Sequence, residues 1–169
     1  MVRELSGRVT FRVFKRGILS RVAHDIQLSM GAVKATLEDG KVCAELPLSS
    51  FIVDGALQGG LVVAGVISAK DSKDILKNMH SAVLKTEIYP NALIEGNIDS
   101  AESLFRGHLT LRGRSVEIAF PLNAGQNLFE GAVEIVPTRW GIAPYRALLG
   151  TLQLQDRVEV FFQFGPSGR

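Results

Sequence analysis

Hydrophobic and polar residues alternate with a period of two along most of this chain. In the first such segment Val9, Phe11 and Val13 share one face, and Arg8, Thr10 and Arg12 share the other. Arg114 to Leu122 repeats the alternation, setting Val116, Ile118 and Phe120 against Ser115, Glu117 and Ala119. The last segment is the longest. Leu152, Leu154, Val158, Val160, Phe162 and Phe164 fall on one side, with Gln153, Gln155, Arg157, Glu159 and Gln163 on the other. Successive side chains of a strand point to opposite faces, so this pattern predicts strands with one face buried. Further strands are predicted at Asp25–Leu37, Lys41–Leu48, Asn91–Asp99, Ser103–Leu111 and Leu128–Val136. Short turns such as Glu38-Asp39-Gly40 and Arg112-Gly113 join several of them, which predicts antiparallel hairpins. The glycine-flanked run Leu61–Ile67 reads as either strand or packed loop.

One helix interrupts the strands, at about 70–84. Ser68 is placed to cap it, with Asp71 three residues on, while Ile75, Met79 and Val83 recur every fourth residue beside Leu76. Pro90 forbids continuation. A short second helix is predicted at Ala143–Leu149, with Pro144 in its first turn and Gly150 as its cap. No repeat, heptad or linker-like stretch divides the chain, so residues 1–169 read as one domain. Leu152 to Phe164 would extend roughly 44 Å at about 3.4 Å per residue. Strands of that length suit a tall, tilted barrel better than a compact sandwich, and closure removes their exposed edges. The expected fold is mainly β: an extended, eight-stranded antiparallel, lipocalin-like barrel with one capping helix.

Composition narrows the function classes. Apolar residues make up 46% and charged residues 21% of the 169 residues, the balance of an ordinary globular domain rather than a disordered chain. Nineteen lysines and arginines against 17 acidic residues leave a net charge of +2, without the basic surplus expected of a nucleic-acid partner. The single Cys43 excludes an internal disulfide and multi-cysteine metal sites. Arg3, Glu4 and Arg8 make the first residues unlike an export signal. Leu57–Ala69 is too short for a membrane-spanning helix, so stable membrane insertion is not expected. These features predict a cytoplasmic protein, or a periplasmic one where a leader has been removed.

Catalytic patterns are sparse. The chain has no phosphate loop, nucleophile elbow or His-Glu-x-x-His pair. His24, His80 and His108 are too far apart to form a short ligand pair, and no metal site is predicted. His24 reads as a structural imidazole before a strand, with a minor alternative in which it serves with Asp25 as an acid–base pair. His80 is expected on the polar side of the helix, facing solvent, and His108 outside a strand. Asp156 interrupts an apolar strand face, and a buried carboxylate needs a partner. An ion pair with Arg139 or Arg146 is the expected solution; a bulge turning Asp156 to solvent is the alternative. Cys43 reads as an inert strand residue, and Trp140 and Tyr145, flanking Gly141–Pro144, as closing a barrel end or lining a pocket mouth, with core closure the main reading for Trp140.

Several stretches together resemble the YceI-like family of polyisoprenoid-binding, lipocalin-like proteins. They are Val9-Thr-Phe-Arg-Val13 leading through Gly17-Ile-Leu-Ser20 to His24-Asp25-Ile26, and the helix Asp74–Met79 with its exit at Tyr89-Pro90. Gly107–Leu111 with Gly113–Ile118 forms a third stretch, and Trp140-Gly-Ile142 with Leu154–Val160 a fourth. The resemblance implies an apolar pore for an isoprenoid or fatty-acid-like chain, and frequently dimers. The expectation is therefore a non-enzymatic carrier or sequestering protein with no cofactor beyond a bound lipid and, as partner, a lipophilic small molecule or a second copy. Phe11, Val13, Ile26, Leu28, Ile94, Leu109, Leu111, Ile118, Phe120, Trp140, Val160 and Phe162 are the expected ligand-binding residues. The alternative is a barrel with a filled core, acting through its surface or as a homodimer.

Overall fold

The computed structural model describes residues 1–16, 24–147 and 152–168. In chain order the strands are β1 (Arg3–Arg16), β2 (Asp25–Glu38), β3 (Lys41–Pro47), β4 (Ile52–Gln58), β5 (Leu61–Val63) and β6 (Asn91–Asp99). After these come β7 (Leu104–Leu111), β8 (Arg114–Ala124), β9 (Phe129–Ile135), β10 (Arg146–Ala147) and β11 (Leu152–Pro166). Eight of them close a barrel in the order β1–β11–β9–β8–β7–β6–β3–β2, with β2 pairing back to β1. Every pairing is antiparallel. Closure leaves no free edge in this ring, which long apolar strands require in water.

The alternation sets the register. Val9, Phe11 and Val13 of β1 stand opposite Phe162, Val160 and Val158 of β11, so apolar side chains meet on the inner face. Asp39-Gly40 and Arg112-Gly113 each place two successive residues in the left-handed region, the hairpin geometry that matches strand twist. The outer face is polar. Arg8 and Ser29 reach the Asp54 carboxylate, at 3.4 and 2.7 Å, and Gln27 donates to its other oxygen at 3.0 Å. A transmembrane barrel has the reverse arrangement, apolar outside. No helix among the described residues is long and apolar enough to cross a membrane.

The helix forms where expected, as α1 (Ala69–Asn78) running into a π-helical turn, Met79–Leu84. Ser68 Oγ accepts the Asp71 amide at 3.0 Å and donates to the Asp71 carboxylate at 2.7 Å. Lys85, left-handed at φ 52°, ends the turn.

Two expectations need correction. No helix occupies residues 143–147: Arg146–Ala147 pair with β11, and the Tyr145 carbonyl accepts the Leu154 amide. Pro144 would suit a first turn, but pairing with β11 takes the backbone groups of Tyr145–Ala147 that a helix would need. The rest of that predicted helix, 148–149, and the stretch Gly17–Ser20 lie outside the described residues. The second correction is a strand. β4 was not predicted; it pairs with the first part of β2 and carries β5, so Leu61–Val63 resolves as strand.

The barrel has two unlike ends. The turns β2–β3, β6–β7 and β8–β9 gather with the N-terminal end of β1 at a floor. The start of β2, the β4–β5 hairpin, the β7–β8 turn and β10 gather at the other end. That second end is the mouth, and α1 lies against it through β4.

Candidate functional site

A cavity of about 830 Å³ occupies the barrel interior. That volume is large for a small domain and falls in the range of small-molecule pockets. Inward side chains of all eight closing strands line it, and α1 contributes Asp71, Asp74, Ile75 and Asn78. Phe11, Val13, Val158, Val160 and Phe162 face inward yet are only half-buried, because they border empty space and not other side chains. A filled barrel would bury them completely.

The lumen stays open because several wall positions have no side chain of their own. A Cβ on Gly131 would lie 2.7 Å from Phe162 Cζ, and one on Gly7 2.7 Å from the ring of Phe164. On β6 and β7 the Phe105 ring covers both members of the Gly96–Gly107 pair, 2.6 Å from where a Cβ of Gly96 would stand. Rings laid over glycines run along the wall instead of projecting across the lumen. They also touch one another: Phe105 stacks on Phe120 with centroids 4.8 Å apart, and Phe120 meets Phe162 edge-on at 5.4 Å. Elsewhere along β2, β3 and β6 the liners Ala35, Ala44 and Ala92 are small.

Polarity is confined to one end. Leu5, Phe105, Leu122 and Phe129 pack at the floor, all buried. The polar lining residues are His24, Asp71, Asp74, Asn78, Tyr145 and Gln155, all supplied by mouth elements. Asp71, Asp74 and Asn78 are exposed as well as lining, so the cavity meets solvent beside α1. A deep apolar tube with a polar rim accommodates a molecule with a long hydrocarbon tail and a hydrogen-bonding head.

Eleven of the twelve expected liners face this cavity; Trp140 is the exception. Trp140 sits behind the wall at 2% exposure, and its indole Nε1 donates to the Leu109 carbonyl at 2.8 Å. An indole N–H needs an acceptor when buried, and an apolar lumen has none to offer. Asp156 follows the bulge alternative and not the expected ion pair. Its carboxylate accepts the Thr138 amide at 3.0 Å and bonds the Thr138 hydroxyl, capping the 3₁₀ turn Pro137–Trp140 instead of pairing with Arg139 or Arg146. A register shift between Val13 and Lys15 on β1 places a bulge at this point of β11. The bulge removes Asp156 from the inner face and brings Gln155 to the cavity.

The histidines divide three ways. His24 continues the inward face of Ile26 and Leu28 and reaches the rim, a placement the alternation contains. Asp25 accepts the Lys15 amide at 2.8 Å, bracing the ends of β1 and β2. His80 is half-buried with Nδ1 enclosed, not solvent-facing as expected, and His108 is exposed. Cys43 is a free thiol on the outer face. Tyr145 lines the mouth, one of the two placements expected of it, whereas the rim residues Asp71, Asp74 and Asn78 of α1 were not anticipated, because helix placement over a mouth leaves no period-two mark.

A family model described as the YceI-like domain matches residues 3–165. Among solved structures, a polyisoprenoid binding domain from Saccharophagus degradans, implicated in plant cell wall breakdown, is similar over 99% of this chain and 100% of its own, with 12% identity and a TM-score of 0.66. Burkholderia cenocepacia BcnA is similar over 95% of this chain and 96% of its own, with 13% identity and a TM-score of 0.63. No curated protein matches by sequence.

Proposed function

The chain belongs to the YceI-like domain family, and on that footing we propose that its barrel binds one long lipophilic chain as a carrier or sequestering protein, without a chemical step. The hollow lumen of about 830 Å³ carries this reading. An apolar cavity of that kind gains little from water, while each buried methylene contributes about 0.8 kcal/mol. The tail would lie toward Leu5 and Phe129, and the head among His24, Asn78, Tyr145 and Gln155. An isoprenoid tail suits this geometry, and the Saccharophagus domain is described as polyisoprenoid-binding.

The filled-core alternative requires an interior without free volume, which the half-buried inward faces of β1 and β11 argue against. Native mass spectrometry of protein purified without detergent is the test. The expected result is an added mass consistent with one long-chain lipid, released on unfolding. Apo protein alone, with no uptake of added isoprenoid or fatty-acyl chains, would overturn the reading.

A further inference from the structure

The two ends of the barrel differ in charge as well as in shape. Exposed cations surround the mouth: Lys70, Lys73 and Lys77 on α1, Lys85 at the end of the π-helical turn, Arg114 after the β7–β8 turn and Arg146 on β10. The floor turns carry exposed Glu38, Asp39, Asp99 and Glu102, with Glu4 beside them, offset in part by exposed Arg3, Lys41 and Arg106. At 100° per residue, Lys70, Lys73 and Lys77 share one stripe of α1, turned away from the side bearing the lining residues Ile75, Asn78 and Met79. The helix therefore faces the cavity on one side and presents lysines on the other. Asp71 and Asp74 line the rim and are exposed as well, Asp74 standing about 40° from Lys70 on the helix, and Glu87 is a third exposed carboxylate at this end.

Apolar side chains stand among these cations. Gly59 and Gly60, both left-handed, turn β4 into β5 and project Leu61 and Val62, which are 73% and 40% exposed. Ile88, just before β6, is 67% exposed. The floor exposes apolar groups too, Met1, Val2 and Leu128, with Arg3 as well as carboxylates near them.

We propose that the mouth docks on an anionic phospholipid surface, with Leu61, Val62 and Ile88 entering the interface and the α1 lysines meeting the head groups. In that pose the cavity opens toward the bilayer, and a tail can pass between the two without crossing bulk water. Basic residues near an anionic surface and shallow apolar side chains reinforce one another in such binding. The orientation follows from the cation stripe at the mouth, which the mixed charges of the floor do not match. The purpose of the docking rests on the lumen reading above; the docking itself does not.

Flotation of the full chain with vesicles of phosphatidylcholine and phosphatidylglycerol, compared with phosphatidylcholine alone, tests this inference. The wild type is expected to float with the anionic vesicles and to be released by salt. Lys70→Glu/Lys73→Glu/Lys77→Glu, all at exposed sites, should lower the partition coefficient on the order of a hundredfold or more. Leu61→Asp should also weaken it, while Leu128→Asp at the floor should not. Absence of flotation at low salt, or equal loss from mouth and floor variants, would overturn the proposal. Uptake of a fluorescent polyene fatty acid in vesicle-free solution separates the two ideas. Uptake without flotation defeats docking alone, and flotation without uptake leaves docking standing while the lumen reading falls.

Discussion

Gly131 decides where the Phe162 ring lies, and through it how wide the tube remains. The ring occupies the space a side chain at residue 131 would need, with Pro121 O 3.0 Å from the same point on its other side. Gly131→Val should therefore push the ring toward the lumen and cost about 1–3 kcal/mol of stability through overpacking. Chemical denaturation would read the first effect, and titration with a fluorescent polyene fatty acid would read weaker uptake. Unchanged stability together with unchanged uptake would mean the ring has room to spare. At this scale the alternation was informative about which strand side chains face inward, whereas His24, read as a structural imidazole before the strand, lines the rim. The alternation held no sign of which inward positions stay empty, because a glycine in a strand reads the same whether its neighbour's ring covers it or not.

The segment from Pro137 to Ala147 shapes one side of the mouth, and a single carboxylate holds its start. Asp156 accepts from both the amide and the hydroxyl of Thr138, while the Trp140 indole fastens the end of the same 3₁₀ turn to β7. Asp156→Ala should cost about 1–2 kcal/mol, in line with the loss of a capping group. Hydrogen exchange should rise over 138–147, with faster release of a bound tail and little change in the barrel strands. Protection left intact at 138–147 would assign the anchoring to Trp140 alone. Strand positions were largely legible here, yet bulges hid two features. At β11 the bulge makes Asp156 a cap instead of an ion-pair partner, and the pairing of β4 with β2 shifts register between Gln27 and Leu28. Asp54 and Gly55 break the alternation of β4 at that point, which is why its sequence does not announce a strand. A bulge is a tertiary compromise between strands, and neither strand alone encodes it.

At the scale of the whole molecule, the account depends on a barrel whose inner wall is apolar and whose centre is empty. The wall was legible, since eleven of twelve expected liners face the cavity. The emptiness was not, because hollow and filled barrels share one pattern of alternation and differ only in how summed side-chain volume meets strand geometry. Ala44 tests this most directly, being a small cavity liner on β3, while adjacent Cys43 points outward. The measurement is a paired one on Ala44→Phe and Cys43→Phe: stability by denaturation and affinity for a fluorescent polyene fatty acid. In a hollow tube the Ala44→Phe ring enters free space, so stability should hold within about 1 kcal/mol while displacement of roughly three methylenes weakens binding by about 2–3 kcal/mol. Cys43→Phe should leave affinity unchanged. Destabilisation by Ala44→Phe of about 3 kcal/mol or more, the mark of overpacking a full core, would contradict the account.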